Sequence, residues 1–149
     1  LAGNLADDGK KEEAKKVLSK FESMINLENF PYSLVSRYNQ HNQTALLYLE
    51  GAYKAGDTAL AEKIDKSVRK DLEQQKRYYD YMKTDNESLY NSVSLEDQVN
   101  TILLTVLDQI EKKYGKQDNA LQRENPGSII NTLTGDKKDS GQKKDNNKK

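Results

Sequence analysis

The sequence predicts an all-α fold built from stacked antiparallel helical hairpins, on three observations. Apolar residues recur at steps of three and four along most of the chain, which is the helical period. No segment alternates apolar and polar residues as a half-buried strand does. Glycines at 9, 56 and 115 stand at breaks between periodic segments, where a helix can stop and reverse.

The elements follow in order. Leu1, Ala2, Leu5 and Ala6 have helical spacing that ends at Gly9, so the chain is expected to begin inside a helix of a longer protein. Residues 11–26 predict a helix with Ala14, Val17, Leu18, Phe21 and Ile25 on one face. Its Glu12, Glu13, Lys15, Lys16 and Lys20 read as a solvated surface. Asn29-Phe30-Pro31 breaks the pattern, and Pro31 is placed to open a short helix through Tyr32, Leu34, Val35 and Tyr38. Residues 39–42 predict a kink or a short loop.

Residues 44–85 carry the clearest signal, two helices joined at Gly56-Asp57. Ala45, Leu46, Leu49, Ala52 and Tyr53 mark the apolar face before the turn, and Leu60, Ala61, Ile64, Val68 and Leu72 the face after it. Gly56 supplies a positive φ, and Asp57 can accept the free N–H groups of the next helix. That helix is expected to reach about residue 84 with an aromatic end, Tyr78, Tyr79, Tyr81 and Met82, read as interhelical packing. Ser94, with Asp97 three residues on, predicts the next start. The following segment, Val99, Ile102, Leu103, Leu104, Val106, Leu107 and Ile110, is the most apolar and belongs in the core. A short helix over 117–124 and a docked turn at Ile129, Ile130 and Leu133 complete a domain of residues 1–133. Residues 134–149 hold no apolar side chain and are expected to form a disordered polar tail.

Composition excludes several classes. Lys plus Arg and Asp plus Glu are equal at 24 each, and removing the tail leaves 18 basic against 21 acidic groups, an argument against nucleic acid as a partner. With no cysteine there is no disulfide and no thiolate metal site. No apolar run is long enough to span a bilayer, so direct membrane insertion is not expected.

The glycines also register a repeat. Aligning Gly9 on Gly56 sets Ala14 on Ala61, Val17 on Ile64, Phe21 on Val68 and Ile25 on Leu72, and aligning Gly115 sets Ala120 on Ala61. Two helices crossing just past a tight turn leave room for a methyl group there. The unit resembles the tetratricopeptide repeat (TPR), implying an irregular TPR-like superhelix. Its glycines are 47 and 59 residues apart rather than a period of 34, and the family's tryptophan and closing proline are absent.

A second resemblance covers most of the chain. Gly9-Lys10-Lys11-Glu12-Glu13-Ala14, Asn29-Phe30-Pro31-Tyr32, Tyr53-Lys54-Ala55-Gly56, Arg77-Tyr78-Tyr79 and Tyr114-Gly115 occur in the order found in a Bacteroidetes family of multi-spanning membrane proteins. Those proteins are similar to protein O-mannosyltransferases and end in a soluble helical domain. The resemblance implies that this chain is that soluble domain, at the periplasmic face of the bacterial inner membrane. It also implies a parent that transfers sugar from a lipid-linked donor. The family's catalytic acidic residues lie in its membrane part, so none is carried over.

No catalytic constellation, metal cluster or cofactor motif stands in the sequence, and the chain alone is not read as an enzyme. His41, the single histidine, reads as a loop residue rather than a base. Asp57-Thr58-Ala59 looks like a short acceptor pattern for O-linked glycans in Bacteroidetes, although capping explains Asp57. The leading expectation is a protein-interaction or scaffolding domain that recruits acceptor polypeptides or contacts its parent's membrane domain. Its peptide groove would be lined by Gln43, Leu46, Glu50, Tyr53 and Lys54 with Thr105, Gln109, Lys112 and Lys113. Alternatively, Leu46 and Tyr53 pack on residues 32–38 and close the groove, leaving a structural or oligomerising domain. A glycan-binding module using the tyrosines is the third reading.

Overall fold

In the computed structural model, which describes residues 1–115, five α-helices follow one another: α1 (Ala2–Asp7), α2 (Lys11–Met24), α3 (Gln40–Ala55), α4 (Thr58–Asp85) and α5 (Glu87–Ile110). A 3-10 turn (Arg37–Asn39) leads into α3, and a π turn (Glu111–Gly115) follows α5. Among the described residues there is no strand. The predictions over 117–133 and for the tail lie outside the described residues.

Two turns are built alike. Gly9 and Gly56 take φ of +80° and +75°. In the first, Gly9 N–H donates to the Ala6 carbonyl and Lys10 N–H to Leu5; in the second, Gly56 N–H donates to Tyr53 and Asp57 N–H to Ala52. Each pair is a Schellman closure, which answers carbonyls the helix end would orphan. Asp57 accepts from Leu60 N–H (3.2 Å) and starts α4. Ala14 and Ala61, aligned in sequence, are both fully buried.

α3 packs against α1, α2, α4 and α5, and α4 runs along α5. The core follows: Leu18 from α2, Leu46, Leu49 and Ala52 from α3, Ile64, Val68 and Leu72 from α4, Leu103 and Leu107 from α5. α1 crosses α3 closely, so that a Cβ on Gly51 would lie 3.7 Å from the Gly3 nitrogen. Of the aromatic end of α4, Tyr79 and Met82 are buried, whereas Tyr78 and Tyr81 are exposed.

Three local expectations are corrected. Residues 31–36 form no helix. They run as a strap held by side chains: Ser33 Oγ donates to the Ser67 carbonyl (2.9 Å), and Leu34 N–H to Asn42 Oδ1 (3.2 Å). His41 is helical, in the first turn of α3 rather than in a loop. The cap of α5 is Asn86, whose Oδ1 accepts from Leu89 N–H (3.0 Å), eight residues before the predicted cap Ser94. Ser94 returns its hydroxyl to the Asn91 carbonyl inside the helix (3.2 Å).

Candidate functional site

The sequence-derived groove residues separate into three groups. Leu46 is buried in the core. Gln43 is exposed and donates to the Tyr38 carbonyl (2.8 Å). Thr105 and Gln109 are exposed on α5, with the Thr105 hydroxyl bonded to the Thr101 carbonyl (3.0 Å). Lys112 is exposed in the π turn.

Glu50, Tyr53, Lys54 and Lys113 come together, around Tyr114. Tyr114 O–H donates to Glu50 Oε1 (3.0 Å), and its ring stacks on Tyr53 at 6.0 Å and 13°. Lys54 Nζ donates to Asp7 Oδ2 (3.0 Å) and lies 3.5 Å from Glu50 Oε1. The Asp7 hydrogen bond holds the Lys54 ammonium above its ordinary range. Lys113 Nζ sits over the Tyr114 ring at 4.8 Å. The cluster ties α1, α3 and the π turn together, and its charges answer one another.

An apolar opening lies on another flank of α3. A cleft of about 570 Å³ runs between α1, α2, α3 and the strap, lined by Leu1, Val17, Leu18, Phe21, Ile25, Phe30, Pro31, Tyr32, Ala45, Leu47 and Tyr48 among others. That volume is in the range of ligand sites, and the lining has their apolar character. Phe21, Phe30 and Leu47 are 50%, 58% and 72% exposed, so the rim is apolar as well.

Polar atoms in the cleft wall are already used. Tyr32 and Tyr48 donate to the two oxygens of Glu22 (2.5 and 2.7 Å). Burial first, then this hydrogen bonding to a carboxylate, pushes both phenols well above their ordinary range. His41 Nε2 lies 3.0 Å from the Pro31 carbonyl, which places its proton on that nitrogen as donor. The Thr44 hydroxyl donates to the Gln40 carbonyl (3.1 Å). Phe21 meets Tyr48 edge-on at 5.2 Å, and Phe30 meets the His41 ring at 5.1 Å. Chemically the cleft can shed water and hold apolar groups.

A second feature escaped the sequence reading, a buried knot of amides where α3 begins. Tyr38 and Asn39 both take left-handed backbone, φ +51° and +52°. Asn39 Nδ2 donates to Gln75 Oε1 (2.9 Å), and Gln75 Nε2 donates back to Asn39 Oδ1 (3.0 Å). Asn42 Nδ2 donates to Asp71 Oδ2 (2.7 Å), which also accepts from Gln75 Nε2 (2.8 Å). Asn100 Nδ2 donates to the Leu72 carbonyl (3.0 Å). The only sequence signal was a group of asparagines in a predicted break, where side chains often replace backbone partners.

Among the described residues no group of three or more His, Cys, Asp or Glu side chains could hold a metal ion, and no helix is long and apolar enough to cross a membrane. No family model, curated protein or solved structure matches the chain.

Proposed function

We propose that this chain is a non-catalytic protein-interaction or scaffolding domain, a TPR-like stack of irregular hairpins that binds polypeptide in the cleft between α2 and α3. The apolar cleft with an apolar rim carries this reading, because exposed apolar surface gathered around a concavity marks interaction sites. The matching closures at Gly9 and Gly56 support a repeated hairpin unit. On the resemblance to the Bacteroidetes membrane family, the domain recruits acceptor polypeptides for a membrane-embedded glycosyltransferase-like parent at the periplasmic face.

Titration of the isotope-labelled chain with unfolded polypeptides, followed by heteronuclear NMR, tests this. The expected shifts fall on Phe21, Leu47 and Tyr48. Shifts on Glu50, Tyr53, Lys54 and Thr105 instead would move the site to the flank chosen from the sequence, and no shift at millimolar polypeptide would sink the reading.

One observation favours a second reading, an oligomerising domain. Leu95 and Ile102, seven residues apart and so on one face of α5, are 52% and 59% exposed. A mass that rises with concentration and returns to one chain in Ile102→Lys would support it.

A further inference from the structure

We infer that the cleft receives the apolar face of an amphipathic helix from a partner polypeptide, and that the flank of that helix is acidic. The inference rests on the polypeptide-binding reading above and names the conformation and charge of what is bound.

Conformation follows from the cleft's hydrogen-bond inventory. An extended segment brings an unpaired N–H and C=O with each residue, and burying them unanswered is costly. The cleft wall has little to offer them, since the Tyr32 and Tyr48 hydroxyls are bonded to Glu22 and His41 Nε2 faces the Pro31 carbonyl. A helix pairs its own backbone and presents only side chains, so it enters an apolar recess without that penalty.

Charge complementarity comes from α2. Val17 and Phe21 line the cleft, and Lys20 lies beside them on the helix surface, three residues after Val17. Lys16, one turn before Lys20, extends the same strip. From Lys10 through Met24 the chain holds five lysines against three glutamates. One glutamate, Glu22, is turned inward to the tyrosines, and Glu12 is answered by Lys15 at 3.7 Å. Among the described residues neither Lys16 nor Lys20 has an ion-pair partner. The third glutamate, Glu13, stands on the same flank four residues before Val17 and is outnumbered there by Lys16 and Lys20, so a helix seated in the cleft meets a net positive bank along α2. The recess argues for a helix over an anionic bilayer: a membrane accepts protruding groups, whereas Leu18 and Ala45 at the cleft floor are buried.

The test uses the full chain and three synthetic peptides of about 18 residues, long enough to form helix. One has a Leu/Ala face and Glu flanks, the second replaces Glu by Lys, and the third is the Glu peptide broken by two prolines. Affinity and NMR shifts are measured for each. The Glu peptide is expected to shift Phe21, Leu47 and Tyr48 and to bind roughly three- to tenfold tighter than the Lys peptide at low salt, a margin that shrinks as salt rises. The double variant Lys16→Glu/Lys20→Glu should reverse the order, and Leu47→Asp should remove binding.

Equal binding of the Glu and Lys peptides overturns the acidic flank. A proline-broken peptide that binds the cleft as well as the intact one overturns the helix and leaves the polypeptide-binding reading standing. No shift with any peptide or with unfolded polypeptides overturns both. Shifts of the same residues with phosphatidylcholine/phosphatidylglycerol vesicles, and with no peptide, assign the cleft to a membrane surface instead.

Discussion

Two regions beside the first half of α3 invert the usual relation between polarity and burial. The amide knot of Asn39, Asn42, Gln75 and Asn100 is polar and filled, each of its four side chains buried and bonded. The cleft walled by Val17, Phe21, Leu47 and Tyr48 is apolar and open. Polarity in the knot is structural, because directional bonds fix how α3, α4 and α5 meet. Apolarity in the cleft is available, because those side chains lack van der Waals partners on one side. Hydropathy alone reads Asn39 and Asn42 as a kink or short loop, and Val17 and Phe21 as the apolar face of a packed helix.

The comparison breaks most directly at Asn39. Asn39→Ala removes a donor and an acceptor and leaves Gln75 and Asn42 short of partners in the interior. Alanine also tolerates the left-handed backbone poorly. Together these predict a loss of about 2–4 kcal/mol in urea unfolding. Asn39→Gly relieves the backbone strain alone, so its smaller loss measures the side-chain network. If both variants unfold within about 0.5 kcal/mol of the parent, the range of neutral surface changes, the knot is not structural.

Much of the fold was legible because it rests on local rules. Period and glycine position located α2, α3, α4 and the Gly56-Asp57 turn, since a Schellman closure and an N-cap need only neighbours in sequence. The start of α5 was misplaced because Ser94-Leu95-Glu96-Asp97 satisfies the capping pattern, yet Asn86 meets the same need one hydrogen bond after α4 ends. The strap at residues 31–36 was illegible for a different reason. Its conformation is set by Ser67, 34 residues from Ser33, and by the Asn42 side chain. Of the candidate site, Glu50, Tyr53, Lys54 and Lys113 lie near one another, around Tyr114. That their charges are consumed by Asp7 and Tyr114 depends on the approach of α1 and the π turn, which no spacing rule encodes.

Phe21 sharpens the contrast next. In the register of the repeat it corresponds to Val68, which is fully buried, yet Phe21 is half exposed. Truncating an enclosed phenylalanine costs about 3–5 kcal/mol. Because one side of Phe21 already faces the cleft, Phe21→Ala should cost only about 1.5 kcal/mol, half of the lower end of that range. A loss in the enclosed range would mean that the cleft is closed in solution.

The tyrosine pair on Glu22 gives the next effect. Tyr48→Phe leaves Glu22 one donor and should cost about 1 kcal/mol at neutral pH. Both phenols are raised in the folded state, so between about pH 10 and their folded values the native chain binds protons that the unfolded chain has released. Stability is therefore full below about pH 10 and falls as pH rises beyond it. The Tyr32→Phe/Tyr48→Phe double variant should show a flatter descent in alkaline unfolding. An unchanged slope would mean that the hydroxyls are solvated rather than bonded to Glu22.

Leu47 should show the smallest effect on stability and the clearest separation of the two regions. It lies at the centre of α3 between buried Leu46 and half-buried Tyr48, yet it is 72% exposed and lines the cleft. Aspartate is a weaker helix former than leucine by a few tenths of a kcal/mol and removes little buried area at such a site. Leu47→Asp should therefore unfold within about 0.5 kcal/mol of the parent. If Leu47 were instead enclosed in solution, the introduced carboxylate would be buried without a partner, and several kcal/mol would be lost. Paired with Asn39→Ala in one denaturation series, this places the two extremes side by side: a polar residue whose removal unsettles the fold, and an apolar residue that the fold does not need. Stability that barely changes at Leu47 leaves binding as the reason for an exposed leucine at the mouth of an apolar cleft.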